Sequence, residues 1–235
     1  MNFVDVIILL ILATTILGGL YRGFVSTLYN FAATILAWLL GMLVIPLIAS
    51  SIKNNDQLFH MMLYYTEGAE YVAVTDVELT RTPVSKISSD TLRIVLANAD
   101  MPRPMDQAVT RNIATEALSA QGITTLGDYF NQTIVCVAIH IISVLFVFLI
   151  ARLLFSVVIR SIEAGYGGFP VLQRADSLIG AGLGLIHGVF LLFVLFLAVP
   201  IVLTVLPKAY EFLSGSWLGE FFYQANFLIP LIPPI

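Results

Sequence analysis

Residues 23–52, GFVSTLYNFAATILAWLLGMLVIPLIASSI, run for 30 positions without a charged side chain, between Arg22 and Lys53. A helix rises 1.5 Å per residue, so about 20 apolar residues cross a hydrocarbon layer about 30 Å thick. This stretch is long enough outright. The same emptiness recurs in residues 6–21, 129–151 and 177–207, which hold 16, 23 and 31 positions. The first run is short unless Asp5 sits among lipid headgroups, where a carboxylate stays hydrated. An acidic residue before the run and Gly18–Gly19–Leu20–Tyr21–Arg22 after it also do not resemble a cleaved signal, so we read it as a retained helix. The expectation is an all-α integral membrane protein with four transmembrane helices.

Composition agrees with lipid as the solvent. Of 235 residues, 59% are apolar and 11% charged, against roughly 45–50% and 25% in soluble domains. The net charge of −4 argues against nucleic acid, which needs a clustered basic face. One cysteine, Cys136, excludes an internal disulfide framework and a cysteine-rich metal site.

The runs divide the chain into residues 1–47, a first transmembrane hairpin, and 131–206, a second. Helix one covers about Phe3 to Leu20 and helix two about Phe24 to Leu47, with a very short turn at Tyr21–Gly23 and Pro46 closing the second helix. Residues 48–130 form an extracytoplasmic region, because the stretch from Ser50 to Asp128 holds ten of the fifteen acids and six of the eleven bases. Within it, Gln57–Thr66 reads as an interfacial helix with His60, Tyr64 and Tyr65 toward water. Ser89–Ala97 and Asp106–Ser119 read as short helices, the latter capped by Asp106. Helix three runs from about Gln132 to Phe155, with a stub to Ile162. After a sharp turn at Gly165–Pro170, Asp176 is expected to cap helix four. The tail 207–235 is aromatic and proline-rich, cannot span, and should pack on the membrane surface or against the large loop.

Orientation follows from bases in the short loops. Arg22 lies in the first loop and Arg152, Arg160 and Arg174 around the third. That side is expected to be cytoplasmic, which puts both termini outside. Arg152 and Arg160 share a helix face and are expected to snorkel toward lipid phosphates. Asp5 is expected to be hydrated at a helix boundary.

Asp5, followed by Gly19, Arg22, Gly23 and Phe24 at the first turn, resembles the opening of the colicin V production protein (CvpA) family. Pro170, Asp176 and then Gly180, Gly184 and Gly188 resemble its second half, and Ser216–Trp217–Leu218 before a proline-rich end resembles its longer members. Asp176 departs from the family pattern, which favours asparagine there. The resemblance covers both hydrophobic halves. It implies a multi-pass protein of the bacterial cytoplasmic membrane, associated with toxin production or export and with envelope homeostasis. It brings no catalytic residue and no cofactor.

Gly180, Gly184 and Gly188 recur every fourth residue, a spacing repeated by Gly19 and Gly23. Such faces let helix backbones approach closely. Packing within the bundle is the simplest role, with a homodimer seam or a gating surface as alternatives. Thr27, Asn30, Thr34, Trp38 and Gly41 make a polar or small stripe on helix two, expected to face other helices for structural hydrogen bonding, or else to line a substrate path. His140 and His187 fall near mid-membrane by residue count and raise the idea of a proton relay or ligand site. No G-x-S-x-G, H-E-x-x-H or G-K-[ST] element occurs, so no enzyme is expected. The expected partners are the bilayer and either a second copy or another membrane protein. The alternative function is a small oligomeric channel or transporter.

Overall fold

The computed structural model describes residues 2–165, 175–206 and 208–234. The turn through Pro170 and the Arg174 side chain lie outside them. The described residues are helical apart from turns and one isolated bridge between Pro83 and Thr125. Three helical stretches are long and apolar enough to cross a membrane: Phe3–Lys53, Leu126–Ile162 and Asp176–Val205.

The first stretch, α1 (Phe3–Lys53), breaks at Gly23, whose φ of 80° and ψ of 179° are not helical. Its two arms, residues 3–22 and 24–53, are called α1a and α1b. Pro46 sits inside α1b and does not end it. The helix runs six residues past the expected stop at Leu47, because proline removes one N–H while its neighbours keep the ladder.

The remaining long elements are α2 (Asp56–Thr66), α3 (Glu70–Ala73), α4 (Ser89–Asn98), α5 (Met105–Ala114), α6 (Leu126–Gly165), α7 (Ala175–Leu195), α8 (Val199–Val205), α9 (Ala209–Ser214) and α10 (Trp217–Gln224). Helix α6 starts six residues before the expected Gln132, with Asp128 in its first turn. Helix α5 starts at Met105, so Asp106 lies inside the first turn and Pro104 takes the cap position. Proline suits a helix start, where a missing N–H loses no intrahelical bond.

The chain forms two compact units. Unit 1 holds residues 1–45, 143–199 and 208–228. Contacts inside it fix the helix directions. Ascending α7, Gly180, Gly184 and Gly188 meet Gly19, Thr15 and Leu12 of α1a in descending order. On α1b the order ascends: Asp176 meets Phe24, His187 meets Phe31 and Thr34, and Phe190 meets Phe31 and Trp38. The two arms are therefore antiparallel and flank the same helix, and the chain reverses at one residue. The second half of α6 runs against α1b, through Gly41 on Val144 and Asn30 on Arg152. An aromatic cluster of Phe193, Phe196, Phe222 and Phe227 joins α7 to α10 and the residues after it, with Asn226 Nδ2 donating to the Phe193 carbonyl at 2.8 Å.

Unit 2 holds residues 46–142, 200–207 and 229–235. Its core gathers Val72, Val95, Met105, Val109, Leu118, Leu126, Phe130 and Ile134. Asn55 caps α2 and Ser88 caps α4 through side-chain oxygens. Helix α2 buries none of its residues, and His60, Tyr64 and Tyr65 are exposed.

Candidate functional site

Polar groups on apolar helices are costly unless bonded, so their partners indicate what each does. In unit 1 the stripe on α1b points inward: Thr27, Asn30 and Thr34 are all buried. Thr27 Oγ1 donates to the Gly23 carbonyl at 2.7 Å, Asn30 Nδ2 to Ser26 at 2.9 Å, and Thr34 Oγ1 to Asn30 at 2.9 Å. These bonds return to the stripe's own helix. What remains free to reach neighbours is Asn30 Oδ1 and the second side of the Thr34 hydroxyl.

Both are used. Asn30 Oδ1 accepts from Arg152 Nη2 at 3.2 Å, and Thr34 Oγ1 lies 2.8 Å from His187 Nε2. The Thr34 proton already goes to Asn30, so Nε2 is the donor, which assigns the tautomer with hydrogen on Nε2. The ring of His187 also rests 5.8 Å from that of Phe31. Arg152 therefore does not snorkel outward as expected. Asn30 offers an acceptor inside the bundle, and the guanidinium turns in to take it. Arg152 Nη1 and Trp38 Nε1 are buried without a hydrogen-bond partner. Arg160 and Arg22 are exposed.

Asp5 is not a hydrated marker. It is 6% exposed, and its Oδ1 accepts from Ser216 Oγ at 2.6 Å and from the Leu218 N–H at 3.1 Å. Its Oδ2 accepts from the Asn2 N–H at 2.8 Å. Ser216 at the same time accepts the Gly219 N–H at 2.9 Å as the N-cap of α10. One hydroxyl thus caps a helix with its lone pairs and gives its proton to Asp5. The carboxylate is held because a donor set assembled from residues far along the chain replaces water.

Asp176 likewise serves another helix. It lies in the first turn of α7, and its Oδ1 accepts from the Phe24 N–H at 2.9 Å, so it caps α1b. Its own helix starts at Ala175, one residue too early for the expected cap.

The glycines Gly19, Gly180, Gly184 and Gly188 lie where α7 meets α1a. A Cβ on Gly180 would come within 2.7 Å of the Gly23 carbonyl carbon, and one on Gly184 would collide with the Thr15 carbonyl. Gly18 and Gly182, off this face, have open space.

In unit 2, His140 is 3% exposed, and its Nδ1 donates to the Pro233 carbonyl at 2.8 Å. Asn112, also buried, donates to Thr133 Oγ1 at 3.0 Å and to the Pro234 carbonyl at 3.2 Å. Two side chains from α5 and α6 thus hold the proline-rich end, whose prolines lack N–H groups and offer only carbonyls. The Lys53 ammonium lies within hydrogen-bonding reach of the Cys136 thiol. Outside the long helices, burial pushes the Tyr71 phenol above its ordinary range, with Asp100 adding to the effect and a bond to Thr204 opposing it.

Asn112, Thr133 and Ser216 were not singled out from the sequence. A signal for Asn112 existed: with Met105, Val109 and Ile113 it falls on one face of α5 at helical spacing, a polar residue on an apolar stripe. Ser216 carried no such signal beyond its place in the tail. Among the described residues no group of three or more His, Cys, Asp or Glu side chains is placed to hold a metal ion. Comparison with family models, with characterised proteins and with solved structures finds no match to this chain.

Proposed function

We propose that the chain crosses a bacterial cytoplasmic membrane four times and works there without catalysis, as an accessory of toxin production, toxin export or envelope maintenance. This is the role that a resemblance to the colicin V production family implies. The observation that carries it is the 2.6 Å bond from Ser216 to Asp5. The acidic opening and the Ser216–Trp217–Leu218 tail are the two ends of that resemblance, and here they form one bonded unit.

The four-span reading draws support from Gly23. Arms that reverse there and flank one apolar helix each have enough length to cross. The exposed faces are apolar, with Leu10, Leu17, Leu43, Leu153 and Leu178 more than half exposed. Such faces suit lipid or a neighbouring helix. Photoreactive residues at Leu43 and Leu178 in native membranes test the accessory role. Discrete adducts to one membrane protein, or to a second copy, are the expected result. Lipid adducts alone at both positions and at a scan of exposed unit 2 sites would overturn it.

One observation favours a second reading, an oligomeric channel or transporter: Arg152, Asn30, Thr34 and His187 form a linked polar cluster inside an apolar bundle. Solute flux into liposomes holding the purified chain, abolished by His187→Phe, would favour that reading over the accessory role.

A further inference from the structure

Arg152 brings a fixed positive charge to apolar helices, and no carboxylate meets it. One branch of its guanidinium, Nη2, is held at 3.2 Å by Asn30 Oδ1. The other, Nη1, is buried with no acceptor among the described residues. A guanidinium N–H removed from water without an acceptor is destabilising, and arginine always carries its charge. The orientation set by Asn30 is therefore maintained against an electrostatic cost.

Arg22 adds to the charge. It is exposed beside the Gly23 reversal, close enough to Arg152 for the two to repel. The carboxylate at this end, Asp176, accepts from the Phe24 N–H and pairs with neither arginine. Arg160, on the same face of α6 two turns further on, is a third exposed cation. Like charges gathered without a counterion point to an anion as the missing partner. Two guanidinium groups, one anchored and one mobile, suit a group with several oxygens on one centre, since each can take its own oxygen.

We propose that Arg152 and Arg22 bind a phosphate-class oxyanion at the Gly23 end of unit 1. The oxyanion belongs to an anionic lipid headgroup or is free in solution. The lipid source has the better access: Leu149, Leu153 and Val157, beside Arg152 on α6, are exposed and present an apolar wall for acyl chains. The lipid arm rests on the bundle lying in a membrane, and the free-anion arm does not.

The test uses the full chain purified in a neutral maltoside detergent. Thermal-shift titrations are run with inorganic phosphate, with dioctanoyl phosphatidylglycerol and with dioctanoyl phosphatidylcholine. The expected result is saturable stabilisation by phosphatidylglycerol, by phosphate or by both, weakened at least about tenfold in Arg152→Gln, the scale of losing a charge-assisted hydrogen bond. Phosphatidylglycerol acting alone assigns the lipid headgroup. Phosphate acting too, and competing with it, assigns a free oxyanion. Stabilisation by neither, or equal stabilisation by phosphatidylcholine, overturns the proposal. Should Arg152→Gln fail to fold, Arg22→Gln decides, because that side chain is exposed: unchanged affinity overturns a shared site. Recovery of the chain without detergent would remove the membrane reading and leave the phosphate arm readable.

Discussion

The carboxylate of Asp176 accepts the backbone N–H of Phe24 at 2.9 Å across 152 positions of sequence. This bond ties the start of one apolar helix to the start of another and fixes where α1 folds back. Gly23 sits beneath it, and a Cβ there would collide with the Asp176 carboxylate. The turn is so short because Gly23 takes a backbone conformation almost closed to other residues.

Replacing Asp176 by alanine leaves the N-terminus of α1b uncapped. The expected cost is about 1–2 kcal/mol, read as a lowered midpoint of thermal unfolding in detergent. Asparagine keeps the acceptor and should lose less. Gly23→Ala meets both backbone strain and the carboxylate, and should cost about 1–3 kcal/mol. An unchanged midpoint for both variants would contradict the reversal.

The glycine face separates two kinds of position. Gly184→Leu forces α7 away from the Thr15 carbonyl, with overpacking of about 1–3 kcal/mol or more. Gly182→Ala meets open space and should be neutral or slightly stabilising through helix propensity. Expression level and melting midpoint in the same detergent compare them.

Asp5 and Ser216 act as one group, so their substitutions should not add. Asp5→Ala and Ser216→Ala each release the start of α10, and the double variant should be no worse than the poorer single one. Protease cleavage after Tyr210 or Phe212, both exposed, should quicken in all three by a similar factor. Fully additive rates would mean that the bond seen here holds nothing.

The C-terminal segment depends on Asn112 and His140. Asn112→Ala deprives the Pro234 carbonyl of its side-chain donor and removes the Thr133 partner, at a cost of about 1–3 kcal/mol. Deleting residues 229–235 should make that substitution nearly silent toward the tail, leaving only the Thr133 part. Melting midpoints of the four proteins measure the coupling.

Tyr71 gives a pH dependence outside the long helices. Its folded phenol titrates above the unfolded one. Its contribution is therefore complete below the ordinary value of about 10 and is lost as pH climbs from there through the folded value. Tyr71→Phe should flatten the stability profile above about pH 10, which chemical denaturation at stepped pH would show.

Much of the architecture was legible in the chain alone. Charge-free runs mark the long helices, because a lipid-soluble helix must carry a stretch of apolar residues whatever surrounds it. The stripe from Thr27 to Gly41 and the spacing of Gly180, Gly184 and Gly188 announced inward faces, because helical period is a local property. Helix ends were less legible. Pro46 and Asp176 look like a stop and a cap, yet Pro46 continues the helix and Asp176 caps a distant one.

Only the tertiary structure decided the partners. Nothing local to Asp5 points to Ser216, nothing around His140 points to the Pro233 carbonyl, and nothing in Arg152 points inward to Asn30. Apolar periodicity follows from the energy of each residue with its solvent, which neighbouring positions reveal. A hydrogen bond follows from two atoms meeting within about 3 Å at a workable angle, and only the packed chain brings them there.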